Sequence, residues 1–263
     1  MIAFPNAKIN LGLNVVSKRD DGYHAIESCF YPIPWYDSLE VIEAASFSFH
    51  SYGLGIPGDP NNNLCVKAYQ LLKEDFDIPP IELHLLKQIP MGAGLGGGSA
   101  DGAFTLKLIS DLFDLGLTTS MLESYALKLG SDCPFFIQNQ PSIAMGRGEE
   151  LHPIELDLSG KFLGIYNPGI HVSTKEAYEG IVPQETDVPI SEIIPQPLSV
   201  WKNLLGNDFE KSIFPNHPTI AQLKEEMYEA GAIYASMTGS GSTVYGIFEK
   251  TLKHPEWKFL ELV

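Results

Sequence analysis

At 263 residues, 44% hydrophobic and 19% charged, the chain is long enough for one large or two modest cores, and two are expected. A formal net charge of −16 excludes general nucleic-acid binding, which needs a basic surface to displace counterions, and excludes docking on anionic membranes. Cys29, Cys65 and Cys133 are widely spaced with no C-x-x-C pair, so neither a disulfide framework nor a zinc knuckle is expected. The start of the chain lacks a basic segment followed by an apolar run, and no stretch approaches about 18 apolar residues. The expectation is a cytoplasmic protein with reduced thiols.

Residues 2–16 read as a strand, with Ile9, Leu11, Leu13 and Val15 on one face and Lys8, Asn10 and Asn14 on the other. Asparagine disfavours strands and carries a good ligand amide, which draws attention to Asn10 beside Lys8. Residues 18–24 form a charged turn closing on Tyr23 and His24. Strands are expected at 29–33, 38–42 and 46–49. Asn61, Asn62 and Asn63 offer an N-cap before a helix whose face is Leu64, Ala68, Leu71 and Leu72. Residues 81–85 alternate as another strand.

The next stretch, Pro90-Met-Gly-Ala-Gly-Leu-Gly-Gly-Gly-Ser-Ala-Asp101, has five glycines in seven residues and nothing to pack into a core. It lies between the 81–85 strand and a helix expected over 99–113, with Ser99 as N-cap. Strand, bare backbone and helix N-terminus together suit a phosphate, because unpaired N–H groups and the helix dipole both favour an anion. Gly98 stands where a P-loop requires lysine, so the Walker pattern fails. The match to G-x-G-x-x-G at Gly92, Gly94 and Gly97 fails on context, since helices rather than a second strand follow. An acidic chain binding phosphate without a lysine in its loop must bring its cations from elsewhere.

A capping box at Ser120 opens a helix that Gly130 stops. Asp132 follows on a tight turn before Pro134. It reads either as turn chemistry or as a catalytic carboxylate. Phe135, Phe136 and Ile137 are expected in a buried strand, 142–145 and 162–166 in further strands, and 173–178 in a short helix. Four prolines predict an irregular loop over 183–197. Pro218 opens a helix with Ile220, Leu223, Met227 and Ala230 on one face. Strands on either side of Thr238-Gly239-Ser240-Gly241-Ser242 form a second glycine-rich turn.

Three motifs in this order, 5–11, 90–99 and 237–242, resemble the GHMP kinase superfamily. Within it, Lys8-x-Asn10 taken with Asp21-Gly-Tyr-His24 and Gly130-Ser-Asp-Cys-Pro-Phe-Phe136 is similar to the branch acting on cytidine-diphospho-methylerythritol, in non-mevalonate isoprenoid synthesis. The resemblance implies an α+β, two-domain fold. Residues 1–152 would form a ribosomal-protein-like domain with a left-handed βαβ unit and the ATP-binding loop; residues 153–263 would form a ferredoxin-like domain, with the active site in the cleft between them. It implies transfer of the ATP γ-phosphate to the substrate 2-hydroxyl, with Lys8 and Asp132 as the catalytic pair. Pro90, Met91, Gly92, Ala93, Gly94, Leu95, Gly96, Gly97, Gly98, Ser99 and Ala100 would hold ATP, with Asn63, Leu64 and Lys87 around the adenosine and Gly239 and Ser240 closing the site. Asn10, Tyr23, His24, Phe30 and Tyr178 would bind the substrate, Tyr23 and Tyr178 stacking on the cytosine. Ser99 would also contact Mg2+. The expected partners are small molecules alone, with the chain a monomer or weak homodimer. The alternatives are a mevalonate- or homoserine-type kinase, or a non-catalytic nucleotide sensor on the same fold.

Overall fold

The computed structural model describes residues 1–262. In chain order the strands are β1 (Ile2–Ala3), β2 (Asn6–Lys18), β3 (His24–Tyr36), β4 (Ser38–Glu43), β5 (Ser48–Gly53), β6 (Ile81–Lys87), β7 (Ser142–Met145), β8 (Glu150–Pro153), β9 (Phe162–Tyr166), β10 (Tyr234–Met237), β11 (Val244–Phe248) and β12 (Lys258–Glu261). The helices are α1 (Leu64–Asp75), α2 (Gly97–Leu112), α3 (Thr119–Leu129), α4 (Phe135–Gln138), α5 (Thr174–Tyr178), α6 (Ile190–Ile193), α7 (Leu198–Leu204), α8 (Phe209–Ile213) and α9 (Pro218–Glu229).

Two compact units result. The first takes Met1–Ala7, Trp35–Met91 and Gly96–Gln140; the second takes Lys8–Pro34, Gly92–Leu95 and Pro141–Val263. The division follows packing rather than chain order, and the 152/153 boundary expected from sequence falls inside the second unit.

In the first unit a sheet of order β1-β4-β6-β5 is antiparallel except where β5 runs parallel to β6. That parallel pair needs a crossover, and α1 supplies it. Asn63 caps α1, its Oδ1 accepting from Cys65 N at 2.9 Å. Ile81, Leu83, Leu85 and Lys87 alternate inward along β6, and α2 buries Ala100, Ala103, Leu106 and Ile109. Helix α2 begins two residues before Ser99: Gly96 at φ 68° is the N-cap, and no side chain caps the helix. Likewise Thr118 rather than Ser120 caps α3, accepting from Met121 N. Phe135, Phe136 and Ile137 are buried as expected, but on helix α4, because a short apolar run does not distinguish strand from helix.

The second unit carries two antiparallel-paired sheets, β2-β3-β7-β8 and β10-β11-β9-β12. Helix α9 turns Ile220, Leu223 and Met227 into a core shared with Val15, Phe209, Val244 and Phe248. The proline-rich stretch is not wholly irregular, since α6 forms within it and buries Ile190 and Ile193. Strand β2 is buried on both faces. Lys8 at 3% exposure and Asn10 at 2% lie about as deep as their apolar neighbours Ile9, Leu11 and Leu13.

Candidate active site

In the second unit, Lys8 N–H donates to Leu95 O at 2.9 Å, fixing the 92–95 segment against β2. Burying an ammonium is costly unless acceptors are supplied. Lys8 Nζ donates to Asn10 Oδ1 at 2.6 Å and lies 4.6 Å from the centre of the Phe30 ring. The Asn10 amide is used on both sides, Nδ2 donating to Ser28 Oγ at 2.9 Å. Phe30 is itself buried, so its ring serves as the floor under Lys8.

The two glycine-rich segments meet in this unit. Gly94, at φ 76°, approaches so closely that a Cβ there would sit 2.0 Å from Thr238 O, and Gly239 would place one 3.2 Å from Gly94 Cα. Asn207 Nδ2 ties the second turn by donating to Met237 O at 2.8 Å and Gly239 O at 2.9 Å. The two turns therefore form one surface of bare backbone beside Lys8, with Ala93 and Leu95 buried beneath it.

Tyr23, His24 and Tyr178 also belong to this unit. His24 stacks on Tyr178, ring centres 4.6 Å apart and planes 14° apart, while Phe209 meets Tyr178 edge-on at 4.8 Å. Tyr23 is 58% exposed, and the Arg147 guanidinium lies 5.0 Å from its ring centre. Glu149 holds Arg147 from the other side, Arg147 Nε donating to Oε1 at 3.3 Å. The backbone of Tyr23 is tied to Asp21, whose carboxyl is held below its ordinary range by the Tyr23 N–H and the Arg19 side chain.

The first unit holds Asn63, Leu64, Lys87, Pro90, Met91, Ala100, Asp132 and the glycines that open α2. Lys87, expected to face the nucleotide, is buried between two carboxylates: Nζ lies 2.5 Å from Asp37 Oδ2 and 2.6 Å from Asp101 Oδ2. Burial disfavours the ammonium, but Asp101 and Asp37 outweigh it and raise the Lys87 pKa. Asp37 Oδ1 also accepts from Gln88 N and Ile89 N, so this cluster ties the end of β6 to the first turns of α2. Gly97 belongs to the same knot, since a Cβ there would meet Lys87 Nζ at 2.9 Å. Ser99 hydrogen-bonds the Cys133 thiol, which burial pushes up to about 12. Asp132 lies on the turn between α3 and α4.

Sequence reasoning missed Asp37, Asp101, Thr238, Asn207 and Arg147. Asp101 closes the glycine motif and was visible there. Asp37 lies 50 residues from Lys87, and no local pattern joins them.

Residues 63–147 match the GHMP kinases N terminal domain and residues 198–255 the GHMP kinases C terminal domain. A protein of Cytophaga hutchinsonii named 4-diphosphocytidyl-2-C-methyl-D-erythritol kinase is 57% identical over 94% of this chain and 92% of its own. One of the same name from Bacteroides fragilis is 51% identical, with 98% and 96% covered. The solved structure of a 4-(cytidine 5'-diphospho)-2C-methyl-D-erythritol kinase superposes with a TM-score of 0.82 at 31% identity, covering 94% of this chain and 90% of that one. The chain belongs to the GHMP kinases, within the family of the 4-diphosphocytidyl-2-C-methyl-D-erythritol kinases.

Proposed function

We propose that the protein transfers the γ-phosphate of ATP to the 2-hydroxyl of 4-(cytidine 5'-diphospho)-2-C-methyl-D-erythritol, in the cytoplasm and in the non-mevalonate route to isoprenoids. The observation that carries this reading is Lys8: a buried ammonium oriented by Asn10, whose own backbone pins the glycine-rich 92–95 segment. The names of the relatives, at 51–57% identity over nearly the whole chain, supply the substrate.

In this reaction the substrate oxygen forms the new P–O bond, the bond between the γ-phosphorus and the β–γ bridging oxygen breaks, ADP leaves, and the hydroxyl proton passes to Asp132. Lys8 neutralises charge on the transferring group. Phosphoryl transfer asks chiefly for such positioning and neutralisation. The uncapped start of α2, at Gly97 and Gly98, would offer its N–H groups to the phosphates. Among the described residues no group of three or more His, Cys, Asp or Glu is arranged to hold a metal. Mg2+ would be held mainly by the phosphate oxygens of ATP, with the Ser99 hydroxyl as the protein contact the family resemblance implies, and would supply neutralisation of phosphate charge.

On the acceptor side, exposed Tyr23 offers a ring to the cytosine, and His24, steadied by its stack on Tyr178, presents a ring nitrogen to the base edge. A mevalonate or homoserine acceptor has no base to use these rings. The test is turnover by the purified protein with ATP and each alcohol, together with Asp132→Asn. Consumption of ATP and the cytidine compound in equal amounts is expected, with Asp132→Asn inactive yet still binding ADP. Turnover of mevalonate without the cytidine compound, or Asp132→Asn at the wild-type rate, would refute the reading.

A further inference from the structure

Thr238, fully buried at the end of β10, has a hydroxyl with three polar neighbours. Its Oγ1 accepts from Asn10 N at 3.0 Å and lies 3.2 Å from Asn10 Oδ1 and 3.1 Å from Gly94 O. The last two are both acceptors. A hydroxyl has one proton, so Thr238 donates to either the Asn10 amide oxygen or the Gly94 carbonyl at any moment.

The choice matters because Asn10 Oδ1 is also the acceptor for Lys8 Nζ. The orientation of the Asn10 amide is not free: Nδ2 donates to Ser28 Oγ, which spends its own proton on Gly12 O at 2.6 Å. A flipped amide would turn an NH2 group toward the ammonium. Thr238 is equally constrained, since Thr238 N donates to Thr243 O at 3.0 Å and Asn207 holds the carbonyls on both sides of it.

We propose that Thr238 is a positioning residue for Lys8, its single hydroxyl proton shared between the Gly94 carbonyl and the Asn10 amide oxygen. With Gly94 seated, its carbonyl takes the proton while Oγ1 accepts from Asn10 N, holding in place the residue whose Oδ1 receives the Lys8 ammonium. With Gly94 displaced, the proton turns to Asn10 Oδ1, whose two lone pairs then serve Thr238 as well as Lys8. The seat of the first glycine-rich loop, which holds the phosphoryl donor, thereby sets how firmly the reacting cation is held. The inference rests on the roles assigned above to Lys8 and to that loop.

Thr238→Val removes the hydroxyl at nearly constant shape, and Thr238→Ser restores it. Steady-state rates with ATP and the cytidine compound, ADP affinity, and single-turnover rates in a Lys8→Met background complete the experiment. Thr238→Val, which strands the buried Asn10 N–H, is expected to lower kcat about tenfold, the equivalent of one buried donor left unsatisfied, while KM for the cytidine compound and ADP affinity stay within about threefold. Thr238→Ser should recover most of kcat, and Thr238→Val should add nothing to the loss in Lys8→Met. A wild-type kcat for Thr238→Val, an equal loss in Thr238→Ser, or a loss that persists undiminished in Lys8→Met would overturn the proposal. Should Thr238→Val not fold, Thr238→Ala against Thr238→Ser makes the same comparison. An inactive Lys8→Met beside a fully active Thr238→Val sinks the positioning role alone, whereas a fully active Lys8→Met sinks the assignment of Lys8 and the proposal with it.

Discussion

Replacing Lys87 with methionine separates a structural lysine from a nucleotide-binding one. The substitution keeps the apolar stem and deletes an ammonium held by Asp37 and Asp101, with the three side chains 0%, 0% and 4% exposed. Removing one member of a buried ion pair costs about 3–5 kcal/mol, because the remaining charge is stranded. Here two carboxylates are stranded unequally. Asp37 keeps its bonds from Gln88 N and Ile89 N, whereas Asp101 Oδ1 already has no partner and its Oδ2 loses the ammonium. At about 2–4 °C per kcal/mol for a body of this size, the loss should lower the melting temperature by roughly 6–20 °C. The assay is thermal denaturation of nucleotide-free protein followed by circular dichroism, run beside Lys87→Met combined with Asp101→Leu. The double variant should regain at least half of the loss, since apolar groups of similar volume replace buried ion pairs at little cost. A Lys87→Met protein melting within about 2 °C of wild type, yet binding ADP far more weakly, would refute the structural role and return Lys87 to the nucleotide.

Gly94→Ala would drive a Cβ to 2.0 Å from Thr238 O at a φ of 76°; a loss of kcat of roughly a hundredfold or more is expected, and near-normal kinetics would show that the two turns need not touch. Burial, opposed by Lys87 and reinforced by Asp37, pushes Asp101 up to about 7 from an ordinary 3.8, so between those values the folded chain keeps a proton that the unfolded chain has lost. Stability should therefore fall from pH 4 toward pH 7 through this group, and the melting temperature of wild type relative to Asp101→Asn should decline over that range; a difference that rises with pH would contradict the assignment. The Arg147 contact beneath Tyr23 is of the exposed cation–π kind, about 0.5–1 kcal/mol, so Arg147→Met should raise KM for the cytidine compound about two- to fivefold at unchanged ADP affinity. No change in that KM would remove Arg147 from substrate binding.

Periodicity and glycine content made most elements legible. The apolar face of α9, the alternation in β6 and the turn between β10 and β11 are written at spacings of two or three to four residues, the ranges over which local sequence acts. The glycine-rich stretch was equally legible, because nothing but close backbone approach justifies so many unpacked residues. Helix starts were less so. Ser99 and Ser120 both have cap chemistry, but the helices begin at Gly97 and Thr119, where the backbone turns rather than where the suitable side chain lies.

By itself the sequence determined the α+β composition and, through its ordered motifs, the kinase family, and it put forward the 90–99 stretch as the phosphate site. Tertiary structure alone decided that Lys87 is buried between two carboxylates. Lys8 and Lys87 both end up buried on strands; the Asn10 acceptor, two residues from Lys8, was legible in the sequence, whereas the pairing of Lys87 with Asp37 was not. The partners that only the fold supplies are distant in sequence, Asp37 lying 50 residues from Lys87 and Thr238 lying 228 residues from the Asn10 it holds. A buried charge is tolerated only where the fold brings acceptors to it, and those acceptors exist only once the chain has closed.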